Sequence, residues 1–378
     1  MLITDSKILK LYCEKALSEK VMAFDTEFMR DKTYYPKLSL VQIATKDSAF
    51  AVDMLCGLDY SPLKRLLSAP NLLKVIHSAR QDLELLYNFF GIIPQNLLDT
   101  QTAALFLGYK DSPSFELLAA DFLDIKVSKA LQFSDWLIRP LSDEQLQYAI
   151  TDANLLYELF FKIEERLNKL DRFAWALEES NLIKCGSKFI TPIESILNKF
   201  AGAINKESDL LRCYDLLSWR EEKAKTLDVP RNYVIKEEVI IQLCHKKPVT
   251  IEELLKYKLH PNLDEENLYE ILEIMQDETL DESKNEIIKN FLNNKKFIFL
   301  NKNNLFFMLK ILVEVISKKL GIHEQLLATT TDILLFAHDK ESRANQGWRR
   351  AAIGNFMQDL KEGKLLLGFK DGNFFISG

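Results

Sequence analysis

Cysteine is scarce in this chain of 378 residues: five, scattered at positions 13, 56, 185, 213 and 244, with no CxxC pair. No histidine is spaced to complete a zinc site, so a structural zinc module is excluded, and reduced thiols in a cytoplasmic protein are expected. Glycine and proline are also few, at 12 and 10, so long helices should dominate. No apolar stretch approaches the roughly 20 residues that span a bilayer, and no membrane association is expected. Met1–Lys10 has no basic segment followed by an apolar run, so it does not read as a signal peptide. Positive charge is not in excess: the net charge is −6 and the pI about 5.6. That balance argues against a non-specific nucleic-acid binder, although it leaves room for a local basic groove. Neither a repeat of 20–50 residues nor a low-complexity tract runs along the chain.

What is present is a globular composition, 47% hydrophobic, in a chain long enough for two or three domains. Residues 20–54 read as strands in an antiparallel meander: Val21-Met22-Ala23-Phe24, then Leu38 to Ala44, then Ala49 to Val52. Leu72 to Ile76 predicts another strand, and Leu83, Leu85, Leu86, Phe89 and Phe90 a helix stopped by Gly91. From Gln101 onward the pattern is helical. Ser142-Asp143-Glu144-Gln145 is a capping box, and Leu146, Ala149, Ile150, Ala153, Leu156, Phe160 and Ile163 then give one buried face. Strands first and helices after imply an α/β or α+β domain ending near 170–180. The remainder reads as helices only, with a loose linker near 284–304. Charge is uneven: residues 205–280 carry 11 basic against 17 acidic side chains, whereas 291–378 carry 13 against 8, a net of +5.

Asp25 and Glu27 are two apart on a strand and so project from one face. Two adjacent like charges repel, and a cation is their natural third party. Carboxylate oxygens suit Mg²⁺ or Mn²⁺ rather than zinc. Asp82 falls at the start of a helix, where an acid often does no more than complement the helix dipole. Tyr148 and Asp152 share a helix face one turn apart. Each feature alone has an ordinary structural explanation. Together they are the set that two-metal phosphodiester hydrolysis requires, with ions about 3.5–4 Å apart. Asp53 and Asp99, each after an apolar run, are assigned to structure.

Asp25-Thr26-Glu27-Phe28, His77 through Asp82 and Tyr148 through Asp152 resemble the three exonuclease motifs of the DEDD superfamily, in its tyrosine-bearing branch. The flanks Arg30 to Ala44 and Gln132 to Tyr148 are similar to those of the ribonuclease D family. Leu216 to Ala224, Val229-Pro230-Arg231 and Pro248-Val249-Thr250 resemble a first HRDC domain. Gly347-Trp348-Arg349-Arg350 with Gly354 and Leu360 to Gly363 resembles a diverged second one. The resemblance implies an α/β RNase H-like exonuclease domain, with a mixed five-stranded sheet and flanking helices, over residues 1–180. A connector at 181–204, an HRDC domain at 205–285 and a second helical domain at 286–378 would follow. It implies a 3′→5′ exoribonuclease acting on tRNA precursors and other small RNAs. Two divalent ions would be held by Asp25, Glu27, Asp82 and Asp152, with Tyr148 beside the attacking water. Phe28, Gln42 and His77 are expected near the terminal nucleotide. Arg139 is a further RNA-contact candidate, with a structural salt bridge as its alternative. No nucleotide cofactor is implied, and a monomer is favoured. A DNA exonuclease of the same superfamily is the alternative within the nucleases, and a non-catalytic RNA-binding protein on a decayed nuclease fold is the alternative outside them.

Overall fold

The structure is a computed structural model and describes residues 1–30, 32–182, 192–200, 202–204, 206–277, 284, 286–292 and 302–377. The connector at 181–204 and the linker near 284–304 lie in part outside them, and so does Cys185. Cys13, Cys56, Cys213 and Cys244 are free thiols.

The chain forms two compact units. One combines Met1–Glu27, Leu38–Cys185 and Ile298–Gly378; the other combines Phe28–Lys37 with Gly186–Phe297. The first unit is built on a mixed sheet of six strands, β1 (Leu2–Ile3), β2 (Val21–Met29), β3 (Lys37–Ala44), β4 (Ala49–Asp53), β5 (Leu73–Ile76) and β6 (Leu97–Asp99), in the order β1-β4-β3-β2-β5-β6. β3 and β4 are antiparallel, as their short connection requires, whereas β5 runs parallel to both β2 and β6. The sheet has one strand more than expected. β1 is two residues long and pairs with β4 through Leu2↔Ala51 and Ile3↔Val52, too short to leave an alternating pattern.

Between the strands run α1 (Ser6–Leu17), α2 (Ser61–Ser68), α3 (Arg80–Phe90), α4 (Thr100–Leu105), α5 (Phe115–Leu123), α6 (Asp143–Lys169) and α7 (Phe173–Asn181). Gly91 ends α3 in the left-handed conformation, at φ 67°. α6 starts at the capping box: Ser142 Oγ accepts from Gln145 N at 3.1 Å, and Gln145 Oε1 accepts from Ser142 N at 3.1 Å. It then buries Ala149, Ala153, Leu156, Leu159, Phe160, Ile163 and Leu167.

The second unit is helical. Its core gathers Leu210, Cys213, Leu216 and Leu217 of a helix at Glu207–Thr226 with Ile240, Leu243 and Cys244 of another at Glu237–Lys246, and with Ile271 and Met275 of a third at Glu265–Gln276. Within it, Tyr34 donates to Glu221, which also receives the Arg231 guanidinium.

The last stretch departs from expectation in two ways. From Ile298 on it belongs to the same compact unit as the sheet. It is also not wholly helical: after helices at Asn304–Leu320, Thr330–Ala337 and Asn355–Lys361, strands β7 (Leu366–Lys370) and β8 (Asn373–Ser377) form an antiparallel hairpin. Asp371 and Gly372 at its tip both have positive φ, 50° and 79°, which a two-residue turn with the twist of the strands demands. That Asp-Gly pair between two apolar runs is the legible signal that the helical reading passed over.

A buried polar joint ties this stretch to α7. Arg349 NH1 and NH2 donate to Glu179 at 2.6 and 2.7 Å, Trp348 Nε1 donates to Glu179 at 2.9 Å, and Trp348 N donates to Glu178 at 3.1 Å. The Trp348 ring stacks on Trp175 at 5.3 Å and meets Phe106 edge-on at 4.8 Å. Burial alone would raise the Glu179 pKa, yet the Arg349 pair holds it below the ordinary value. Replacing Arg349 with alanine strands a carboxylate in this joint, at a cost of about 3–5 kcal/mol. Urea denaturation of Arg349→Ala should show that loss; a change under about 1 kcal/mol would mean the joint contributes no more than a surface pair.

Candidate active site

Asp25 and Glu27 lie on β2, between β3 and β5. Asp82 is in the first turn of α3, and Tyr148 and Asp152 are one turn apart on α6. The five side chains share one electrostatic field. Glu27 is pushed up to about 10, first by loss of water and then by the charges of Asp25, Asp152 and Asp82. Asp152 is raised to about 7 by burial and by Asp25, against the hydrogen bond it accepts from Tyr148. Burial raises Asp25 to about 6. Asp82 is raised well above the carboxylate range by burial and by Asp25, although the Thr26 hydroxyl donates to it. The Tyr148 phenol is pushed up as well, by burial and then by Asp152 and Glu27.

Residues between the motifs set this geometry. Ser78, just before α3, has φ 59°, a conformation costly for a residue with a Cβ. Asp99, at the end of β6, holds it there by accepting from Ser78 N at 2.9 Å, Ala79 N at 3.1 Å and Gln101 N at 2.9 Å. The turn that aims Asp82 is thus fixed by an acid from the neighbouring strand. Thr26, between the two β2 acids, fixes Asp82 from the other side.

The donor set suits a divalent cation. All four groups are hard carboxylates, and their mutual repulsion is what such an ion relieves. Among the described residues no three Asp, Glu, His or Cys side chains stand as a ready-made ligand cage. Mg²⁺ takes only one or two carboxylates and fills its remaining positions with water and phosphate oxygens, so a converging open set fits it.

The substrate candidates fare differently. Phe28 directly follows Glu27 on β2 and is partly exposed. His77 is engaged elsewhere: its Nδ1 lies 3.0 Å from Thr100 Oγ1, its ring faces Phe115 at 5.6 Å, and burial lowers its pKa. Gln42 is completely buried on β3 opposite Ala51, with no surface for a nucleotide and no hydrogen-bond partner for its amide. Arg139 is a structural residue, the alternative weighed for it. Its Nε and NH2 donate to Asp53 at 2.7 and 2.9 Å, its NH1 to the carbonyls of Trp136 and Ile138, and its NH2 also to Ser39 Oγ at 3.0 Å. All five guanidinium protons are engaged, and none is left for RNA. Asp53 and Asp99 hold structure, as assigned.

Sequence reading missed three neighbours. The Trp136 ring lies 6.1 Å from Tyr148, the charge of Glu116 reaches Asp152, and Lys129 pairs with Glu116 at 3.0 Å. None belongs to a spaced motif, so only the fold brings them in.

Residues 1–168 match the family model described as 3′-5′ exonuclease, and residues 210–280 match the HRDC domain. A ribonuclease D of Nitrobacter hamburgensis is 31% identical over 377 residues, covering 98% of this chain and 97% of its own. One of Sphingobium indicum is 33% identical with the same coverage. The chain belongs to the ribonuclease D family. The crystal structure of Escherichia coli RNase D, an exoribonuclease involved in structured RNA processing, superposes with a TM-score of 0.77 at 25% identity, covering 96% of this chain and 98% of that one. The chain is therefore a 3′→5′ exoribonuclease, a hydrolase, and its exonuclease fold implies dependence on divalent metal. No described helix is long and apolar enough to cross a membrane.

The raised carboxyl pKa values fix the sign of a pH effect in metal-free protein. Below about pH 3 these acids are protonated in folded and unfolded chains alike. As pH rises from about 4 towards 7, the unfolded chain is already ionised while Asp25 and Asp152 still hold protons, so stability falls until pH passes their folded values of about 6 and about 7. With a chelator present, Tm should drop between pH 5 and pH 8, and excess Mg²⁺ should remove that drop. A metal-free Tm that climbs over this range would contradict the shared field. Glu27→Gln should raise the metal-free Tm by a few degrees while activity falls at least about 100-fold.

Proposed function

We propose that this ribonuclease D trims the 3′ ends of tRNA precursors and other small structured RNAs in the cytoplasm, releasing 5′-nucleotides one at a time. Asp25, Glu27, Asp82 and Asp152 would hold two Mg²⁺ or Mn²⁺ ions. The observation that carries this assignment is the common field of these four acids and Tyr148, contributed by strand β2 and helices α3 and α6. When bound, the ions would lower the pKa of an attacking water and offset charge at the scissile phosphate.

The chain's own groups do the positioning. Tyr148 holds its proton, because burial and the carboxylates of Asp152, Glu27 and Asp25 raise its pKa above that of a free phenol. It is thus suited to orient the attacking water by hydrogen bonding rather than to deprotonate it. Its position one turn before Asp152 keeps both groups on one side of α6. Water oxygen forms the new bond to the terminal phosphorus, and the bond to the preceding 3′ oxygen breaks. The shortened RNA keeps a 3′ hydroxyl and the released nucleotide keeps the phosphate. Net charge divides the labour of RNA binding. The +5 balance of residues 291–378 favours phosphate contact there, whereas the −6 of residues 205–280 favours a spacing or protein-binding role.

With Mg²⁺, a 5′-labelled linear RNA should shorten stepwise, and chelation should stop it. A circular RNA degraded at the same rate would exclude an exonuclease. Asp152→Ala should abolish turnover while RNA binding persists. Tyr148→Phe should lower kcat by about 10- to 1000-fold with little change in affinity; equal losses in both would assign Tyr148 to binding.

A further inference from the structure

Phe133 is the barest large apolar side chain among the described residues, 91% exposed, where the next is 64%. Single exposed apolar residues are ordinary on protein surfaces, so exposure alone assigns nothing. Its surroundings do. Phe133 lies on the non-helical segment between α5 and α6, and that segment is pinned to the active-site walls on both sides of it. Four residues before, Lys129 pairs with Glu116, the acid whose charge reaches Asp152. Three residues after, the buried Trp136 packs 6.1 Å from the Tyr148 ring.

The backbone between these anchors is also held. Gln132 N donates to Lys129 O at 3.1 Å and Ser134 N to Leu131 O at 3.0 Å, closing consecutive turns. Gln145, in the first turn of α6, donates through Nε2 to Ser134 Oγ at 3.2 Å and to Asp135 O at 3.3 Å. The same Gln145 side chain completes the capping box of the helix that carries Tyr148 and Asp152. A bare aromatic ring therefore stands on an ordered turn, registered to the catalytic helix by one residue. Nothing intramolecular covers it, and an ordered base beneath a stacking partner loses little freedom on binding.

We propose that Phe133 is a specificity-determining stacking platform, on which an unpaired base of the RNA upstream of the 3′-terminal nucleotide lies face to face. This rests on the exoribonuclease reading and names a contact for its substrate. Every base presents a π-face, so such a platform favours single-stranded RNA without selecting sequence. It also penalises an end whose upstream bases are paired and cannot be splayed out.

The test uses the full chain with Mg²⁺ and a 5′-labelled unstructured RNA of about a dozen nucleotides, a length in the range of single-strand sites. Phe133→Ala should raise KM by roughly 5- to 100-fold and leave kcat and Tm unchanged. Phe133→Trp should restore the wild-type KM. A series of RNAs, each with one abasic position near the 3′ end, supplies the readout a structural role would not move. At one position the wild type should lose affinity and Phe133→Ala should lose none further. An unchanged KM in Phe133→Ala, a parallel fall in kcat, or additive losses at every abasic position would each overturn the proposal. Failure of the nuclease reading is separate, because the wild type itself would then leave the RNA intact.

Discussion

Repulsion among four carboxylates is the constraint around which the catalytic half of this protein is organised. Left to itself, a chain would spread Asp25, Glu27, Asp82 and Asp152 into water. The fold instead places them where solvent is thin, so that Asp25, Asp152 and Asp82 all raise the pKa of Glu27, and Asp25 raises those of Asp82 and Asp152. Such an arrangement opposes folding and persists only because the scaffold is stable enough to impose it. Three devices impose it. A central strand fixes the spacing of two acids, a turn restrained by Asp99 aims the third, and a capped 27-residue helix carries the fourth. The stored repulsion makes a cation welcome at this point.

The surrounding ion pairs work in the opposite direction. Asp53 with Arg139 and Glu179 with Arg349 also lose water, yet their pKa values are lowered, since a guanidinium overcomes that loss. The contrast separates two uses of buried charge in one molecule. Matched pairs lock the segment leading into α6 and the joint at α7. The unmatched set is left for a ligand. Reading which acids lack a cation is therefore more informative than counting acids.

Much of this was legible in sequence, for identifiable reasons. Motif residues carry spacing: the Asp25/Glu27 alternation and the Tyr148/Asp152 helical turn survive as patterns because local geometry dictates them. The capping box at Ser142 and the Gly91 stop are local in the same sense. What escaped depends on distant partners or very short elements. β1 has two residues and no period, and only pairing with β4 makes it a strand. Gln42 lies near the carboxylate motifs in sequence but on a strand so enclosed that it meets no solvent. Arg139 read equally well as an RNA contact or a salt bridge until Asp53 and Ser39 were placed around it. Likewise, charge patterning marked the last block as distinct, but it held no information that the block shares a unit with the sheet.

That shared unit bears on how the protein is made. Strands β1 to β6 leave the ribosome well before Trp348 and Arg349, the residues that close the joint on α7. Domains of most chains fold in the order of synthesis, but here the polypeptide returns to its first unit after building a second one in between. A nascent chain carrying Asp25, Glu27, Asp82, Tyr148 and Asp152 still lacks the segment that packs over Trp175 and Phe106. Completion of the first unit therefore waits for residues that are synthesised only after the whole of the second one.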